Sequence, residues 1–305
     1  MTDVLNSNGN MKKLFPALTA AIFMIACERK AVVIQTDFGV KDGAVAAMKG
    51  VIFSVDNNLE VVDLTHEIPA YNIWEAAYRL NQAAAYWPAQ TVFVSVVDPG
   101  VGTERKSVVL KTKSGHFFVS PDNGSLTLVA ASLGIEEVRE INEAVNRRTD
   151  SEKSYTFFGR DVYAYTAARL ASDKISFEQV GKRLPDSVVM IHYQKAVLEN
   201  GTIKGNIPVL DIQYGNVWSN IPDSLVYKAG WKYGDSLLVE ILYKDSLTAT
   251  LHVLLKKTFG EVKEGQSLAY FNSLMNFSLA VNMDNFSKRY NVYSGSEWSI
   301  VLRKK

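Results

Sequence analysis

The sequence predicts an α/β domain, with a mixed or parallel sheet flanked by helices, followed by a second, mostly β domain. Up to Pro185, short β-branched runs alternate with helical segments, the pattern of βαβ units. Beyond it the pattern changes to short strands divided by polar turns, with no long helix. A length of 305 residues, 47% of them hydrophobic and 21% charged, is enough for two cores and argues against disorder.

Val32-Val33-Ile34-Gln35-Thr36 reads as a strand buried on both faces. Asp37-Phe38-Gly39 breaks it, and a helix is expected over 43–51. A second strand over 59–64, a helix over 73–87 and a third strand over 91–97 continue the alternation. Strands over 107–112 and 117–119, read as antiparallel additions, precede helices over 124–133 and 162–171. In the second region, 197–205 has strand-turn-strand character because Asn200-Gly201 suits a two-residue hairpin turn. Strands over 238–243, 247–254, 266–270 and 298–302 follow, and the boundary falls within 186–195, dividing 28–188 from 189–305.

The formal charge is +1 and no basic block is present, so a broad phosphate-binding face, and with it a nucleic-acid partner, is excluded. The single cysteine, Cys27, excludes an internal disulfide and a cysteine-cluster metal site, and no metal is expected. Met11-Lys12-Lys13 precedes an apolar run over 14–26 that closes on Met24-Ile25-Ala26-Cys27. A basic start, a short apolar core and a small residue before cysteine resemble a bacterial lipoprotein signal. On that reading 1–27 is a signal region with Cys27 lipidated, and the protein is membrane-anchored in the bacterial envelope, outside the cytoplasm. The alternative is a frayed N-terminal helix on a cytoplasmic enzyme.

Polar residues recur where strands end. Asp37 follows the first strand, Asp98 in Val96-Val97-Asp98-Pro99-Gly100-Val101-Gly102-Thr103-Glu104-Arg105 follows the third, and Asp122-Asn123-Gly124 follows a later one. Side chains at successive strand ends converge on the crevice that open α/β sheets use for ligands, where a carboxylate pair can clasp a vicinal diol. Taken singly, each also fits a turn or a helix cap. Asp37-Phe38-Gly39 looks like the metal-binding tripeptide of protein kinases, but the accompanying glycine-rich and catalytic loops are missing. Dinucleotide and phosphate-loop fingerprints are missing too.

Seven segments in order resemble the S-adenosylmethionine (SAM) hydroxide adenosyltransferase family, relatives of the SAM-dependent fluorinase and chlorinase. They are Gln35-Thr36-Asp37-Phe38-Gly39, Val62-Asp63-Leu64-Thr65-His66-Glu67-Ile68-Pro69, Val97-Asp98-Pro99-Gly100-Val101-Gly102-Thr103, Pro121-Asp122-Asn123-Gly124, Phe158-Gly159-Arg160-Asp161, Asp211-Ile212-Gln213-Tyr214-Gly215-Asn216-Val217-Trp218-Ser219-Asn220 and Phe271-Asn272-Ser273. The resemblance implies a barrel-like C-terminal β domain and a homotrimer with active sites between subunits. It also implies cleavage of SAM, as substrate and with no cofactor, at the ribose C5′. Hydroxide yields adenosine and methionine, and halide yields a halogenated nucleoside. By motif position Asp37 holds the ribose hydroxyls and Tyr71 flanks the ribose or nucleophile pocket. Asp211 and Asn216 contact the methionine portion, and Ser273 binds its carboxylate.

Hydroxide-using members orient water with Asp, Arg and His. Asp98 and Arg105 match the first two positions, whereas Phe158 stands at the third. Phenylalanine moves no proton, which lowers the expected rate and keeps open a SAM- or nucleoside-binding protein with weak or lost catalysis. Phe158 also lines the expected pocket and suits a chlorinase-type alternative, since halogenating relatives lack the histidine as well. Those relatives replace the acid at position 98, so Asp98 favours water; the fluorinase insertion before Pro121 is also missing. His66 is the nearest histidine to take the third role, with a core or turn position as its alternative. Leu274 stands where fluorinases carry arginine and Met275 where hydrolases commonly carry glycine, and both are read as packing residues.

Overall fold

The computed structural model describes residues 30–304. Six strands form the first sheet: β1 (Ala31–Thr36), β2 (Glu60–Thr65), β3 (Val92–Val96), β4 (Ser107–Thr112), β5 (Phe117–Pro121) and β6 (Ile135–Glu140). Their order is β2-β1-β3-β5-β4-β6. The β2, β1, β3 and β5 strands are parallel, while β4 runs antiparallel to both β5 and β6, so the sheet is mixed.

Alternation along these strands sends neighbouring side chains to opposite faces. Val32, Ile34, Val92 and Val94 pack on one face against α1 (Ala44–Val55), a π-helix over Gly159–Ala164 and α4 (Tyr165–Ala171). Val33, Phe93 and Phe118 pack on the other against α2 (Ile73–Ala84) and α3 (Thr127–Leu133). The α2 helix starts where Asn72 Oδ1 accepts the Glu75 N–H at 3.0 Å. Two-sided coverage explains why these strands read as unbroken apolar runs.

The second sheet holds β7 (Val197–Glu199), β8 (Thr202–Asn206), β9 (Val209–Asp211), β10 (Asn216–Pro222), β11 (Ser236–Tyr243), β12 (Ser246–Leu255), β13 (Ser267–Phe271), β14 (Asn276–Val281) and β15 (Trp298–Lys304), with short helices α5 (Asp223–Lys228) and α6 (Phe286–Tyr290). Its order is β7-β8-β15-β11-β12-β13-β14-β10-β9, and only β12 and β13 pair in parallel.

The expected barrel is corrected to an open, curled sheet. The β8 strand comes back against β10 without a ladder, and there the Asn206 N–H is taken by the Asn220 side-chain oxygen at 2.8 Å. A donor satisfied by a side chain cannot serve a closing strand. Gly205 lets the two strands approach: a Cβ there would stand 2.5 Å from Ile221 Cγ1 and 2.6 Å from Asn220 Oδ1.

The halves meet through Trp74, Tyr78 and Leu128, which pack with Val209, and the Trp74 indole N–H donates to the Pro208 carbonyl at 3.0 Å. Strands β6, β9, β10 and β14 were not expected, and the helix expected over 162–171 starts earlier, as a π turn. Replacing Gly205 with alanine should destabilise the chain by about 1–3 kcal/mol through overpacking at the curl, read as a lower urea midpoint with an unchanged slope.

Candidate active site

At the carboxyl ends of β1 and β3 lies a cavity of about 250 Å³ whose wall includes Asp37, Tyr71, Asp98, Thr156 and Phe158. Asp37 follows β1 directly, and its Oδ2 accepts the Tyr71 N–H at 2.9 Å. Tyr71 has φ 68°, a left-handed conformation that costs an aromatic residue of order 1–3 kcal/mol. The ring is nonetheless 73% exposed, so its conformation is held by the backbone contact to Asp37 and not by side-chain packing.

Asp98 sits two residues after β3. Turns closed by Val101 N–H to Asp98 O and Thr103 N–H to Gly100 O fold the following loop back, bringing Arg105 onto Asp98. Arg105 Nη2 donates to Asp98 Oδ2 at 2.6 Å and Nε reaches both carboxylate oxygens at 3.0 and 3.1 Å. The side chains are 5% and 11% exposed. Burial acts to lower the Arg105 pKa, but the bonds to Asp98 outweigh it and raise the pKa, so the guanidinium stays charged. Asp98 faces the cavity and Arg105 stands behind it, outside the wall.

A second cavity, of about 710 Å³, opens on the β half and contains Asp211, Asn216 and Ser273. Trp218 and Asn272 also line it, with the Trp218 indole N–H and the Asn272 amide nitrogen themselves buried beneath its surface. A carboxylate beside an amide and a hydroxyl fits a ligand carrying both a cation and an acceptor group. The two cavities share no lining residue.

The eight motif residues outside the leader therefore separate into Asp37, Tyr71, Asp98 and Phe158 at the first cavity, with Arg105 behind it, and Asp211, Asn216 and Ser273 at the second. Sequence reasoning missed Thr156 on the first cavity wall, which follows no strand, and the places of Trp218 and Asn272 on the second, whose motifs it had noticed. Asp122 and Asn123 do not join the first cavity. Asp122 Oδ1 accepts the Val189 N–H at 2.8 Å and Asn123 Nδ2 donates to the Val97 carbonyl at 2.9 Å, so both fasten turns.

His66 does not take the missing histidine's place. It is buried, with Nδ1 bonded to Thr36 Oγ1 and Nε2 to Asp63 Oδ1, both at 2.9 Å, and lies outside the cavity wall. Leu274 faces the cleft between the two halves, away from the Ser273 cavity. Met275 has φ 58°, a left-handed conformation natural to glycine, which accounts for glycine in the family pattern there. Asp161 is enclosed by guanidinium groups: Arg160 reaches both its oxygens at 2.8 Å and Arg148 reaches Oδ1 at 3.2 Å. Burial acts to raise its pKa, and the bonds from Arg160, Ser154 and Arg148 outweigh it, holding the carboxyl below its ordinary range.

The family model described as the SAM hydroxide adenosyltransferase N-terminal domain matches residues 32–181, and its C-terminal counterpart matches 205–299. A protein of Methanocaldococcus jannaschii named (R)-S-adenosyl-L-methionine hydrolase is 34% identical, covering 86% of this chain and 92% of its own. A fluorinase of Actinopolyspora mzabensis is 28% identical over 88% of this chain and 95% of its own. The crystal structure of an uncharacterized conserved protein from Thermotoga maritima superposes with TM-score 0.81 at 35% identity, over 89% of this chain and 99% of that one.

These matches correct the reading of the leader. The signal region and Cys27 lie outside the described residues. The relatives that match most of the chain are named as enzymes, none as a lipoprotein, and the lipid-anchored, extracytoplasmic placement is withdrawn. Among the described residues no helix is long and apolar enough to cross a membrane. The physical reason for the misreading is that a short apolar run after lysines is a compositional pattern, which does not by itself establish a lipid anchor.

A carboxyl held below its ordinary pKa stabilises the fold above its unfolded value and loses that contribution as pH falls through the folded value. The Asp161 contribution should therefore be complete above about pH 4 and decline below it. Urea unfolding of the wild type should show this acid decline, and Asp161→Asn, less stable at neutral pH, should lack that part of it.

Proposed function

The chain belongs to the SAM hydroxide adenosyltransferase family, and on that premise we propose that it hydrolyses SAM at the ribose C5′ to adenosine and L-methionine. The observation that carries the choice of nucleophile is the Asp98 carboxylate on the wall of the first cavity, paired with Arg105. An anionic oxygen there repels halide and accepts a hydrogen bond from water. The hydrolases among its relatives, at 34% and 33% identity, support the same outcome.

In this reading SAM is the substrate, and no cofactor takes part. Asp37, with Oδ2 committed to the Tyr71 backbone, offers Oδ1 to the ribose hydroxyls, and Tyr71 flanks the sugar. Water aligned by Asp98 attacks C5′ opposite the sulfonium. The C5′–S bond breaks with its electron pair on sulfur, giving the neutral thioether of methionine. The water's proton passes to the Asp98 carboxylate and on to solvent, leaving the 5′-hydroxyl of adenosine. Two carboxylates on the wall also favour the cationic sulfonium.

The second cavity suits the amino-acid end. Asp211 pairs with the ammonium, while Asn216 and Ser273 receive the carboxylate. Because no residue lines both cavities, a homotrimer that sets one protomer's first cavity against its neighbour's second gives SAM one complete site. The division into domains 28–188 and 189–305 belongs to the same proposal. It is supported by the family matches and by the strands, since the first sheet ends at Glu140 and the second starts at Val197. A SAM-binding protein without turnover is the second reading, favoured by Phe158, which transfers no proton.

Incubating the purified chain with SAM should release adenosine and methionine equally with and without chloride. A halogenated nucleoside, or binding with no product, overturns the reading. Asp98→Asn should lower kcat by about 100-fold to 10,000-fold while SAM affinity changes little. Sedimentation should give the mass of three chains, and a monomer that turns SAM over would overturn the shared site.

A further inference from the structure

Two arginines pack on the Phe158 ring. The guanidinium carbons of Arg105 and Arg147 lie 4.9 and 4.8 Å from its centroid, within cation–π reach. Phe158 immediately precedes the π-helix, and Tyr163 within that helix lies under Arg105 as well, at 5.9 Å.

Glu143 connects the two arginines. Its Oε2 accepts from Arg147 Nη2 at 2.8 Å, and its Oε1 stands 3.2 Å from Ser107 Oγ. Ser107 Oγ in turn lies 3.1 Å from Arg105 Nη1 and 3.2 Å from the Tyr163 hydroxyl. The directions of these bonds follow from counting protons. Arginine can only donate, and burial pushes the Tyr163 pKa far up, so its hydroxyl keeps its proton and donates too. Ser107 then accepts twice and gives its single proton to Glu143, which uses its full capacity.

Asp98, Arg105, Glu143 and Arg147 alternate in sign and sum to zero charge. Arg147 is 14% exposed on its side chain and is anchored further by Nη1 donating to the Ser154 carbonyl at 3.2 Å. Neither Glu143 nor Arg147 lines the cavity, so whatever they do for a reaction there goes through Arg105.

We propose that Glu143 and Arg147 are positioning residues that, around the Phe158 ring, hold Arg105 in register on Asp98 in a site without the family histidine. This rests on the hydrolase reading above. Without the Glu143 charge, two guanidinium groups share one ring with no anion between them, and their repulsion drives Arg105 off Ser107. Asp98 then loses its fixed orientation toward the water.

The test compares the full chain with Glu143→Gln, Arg147→Met and Arg147→Lys, measuring kcat, KM for SAM, and solvent exchange of the Arg105 Nε–H by NMR. In Glu143→Gln and Arg147→Met, kcat should fall about tenfold with KM within about twofold, and the Arg105 Nε–H should exchange about tenfold faster. Arg147→Lys should recover part of the rate, since it restores the charge but not the planar stack. Unchanged exchange, an unchanged kcat, or a KM that rises in step with the loss overturns the proposal. If the wild type binds SAM without turnover, the hydrolase reading fails, and the exchange rates still decide whether Glu143 and Arg147 hold Arg105. If Glu143→Gln unfolds it is replaced by Glu143→Ala, which also removes the charge, and an Arg105 exchange rate equal to wild type there would also overturn it.

Discussion

The ion pair between Asp98 and Arg105 is the interaction on which the first half of the molecule depends. A nearly buried carboxylate and guanidinium lose most of their hydration, and close contact repays that only when the remaining hydrogen-bonding groups are also satisfied. Here the guanidinium reaches both carboxylate oxygens, gives its other terminal nitrogen to Ser107, and lies against the rings of Phe158 and Tyr163. The pair therefore ties together the end of a central strand, the loop after it, the start of β4 and the π-helix. Removing either partner leaves an uncompensated charge at the junction of four segments.

The second half is attached close behind this junction. Tyr71 and Asn72, just ahead of α2, border the first cavity and cap the helix, while Trp74 in its first turn bonds to Pro208 beside β9. Asp211 ends β9, so the same rigid helix relates the carboxylate of one cavity to that of the other. The division of chemistry between the halves follows the fold. Carboxylates at the ends of parallel strands face the first cavity, and Asp211, Asn216 and Ser273 of the curled sheet line the second.

Much of this architecture was legible because local patterns matched their environments. The apolar run of β1 is covered by helices on both faces, and Asn200 and Gly201, with φ values of 48° and 73°, make the positive-φ hairpin turn their types suggest. The overlooked strands have reasons of their own. The β6 strand, Ile-Glu-Glu-Val-Arg-Glu, is an edge strand whose charged residues mask the strand pattern, since Glu137 and Arg139 are largely buried as an ion pair with each other. The β14 strand follows a turn made by Met275 in a conformation that a methionine gives no cue for. In the site, Asp122 and Asn123 had the same position in sequence as Asp37 and Asp98, yet nearby backbone groups claim them as turn fasteners.

By itself the sequence determined the two-part organisation, the strand ends that carry carboxylates, and the family, because these depend on short-range periodicity and on motifs a few residues long. It was misleading where composition stood in for structure, in the leader, and where the family resemblance implied a barrel in place of an open sheet. Tertiary structure alone decided which polar residues face a cavity and which brace a turn, since that depends on partners distant in the chain, such as Val189 for Asp122. It also decided that the β sheet stays open and that Arg105 and Arg147 both pack on Phe158. A histidine missing from a motif is visible in one dimension, while the charged pair that surrounds its replacement exists only once the chain has folded.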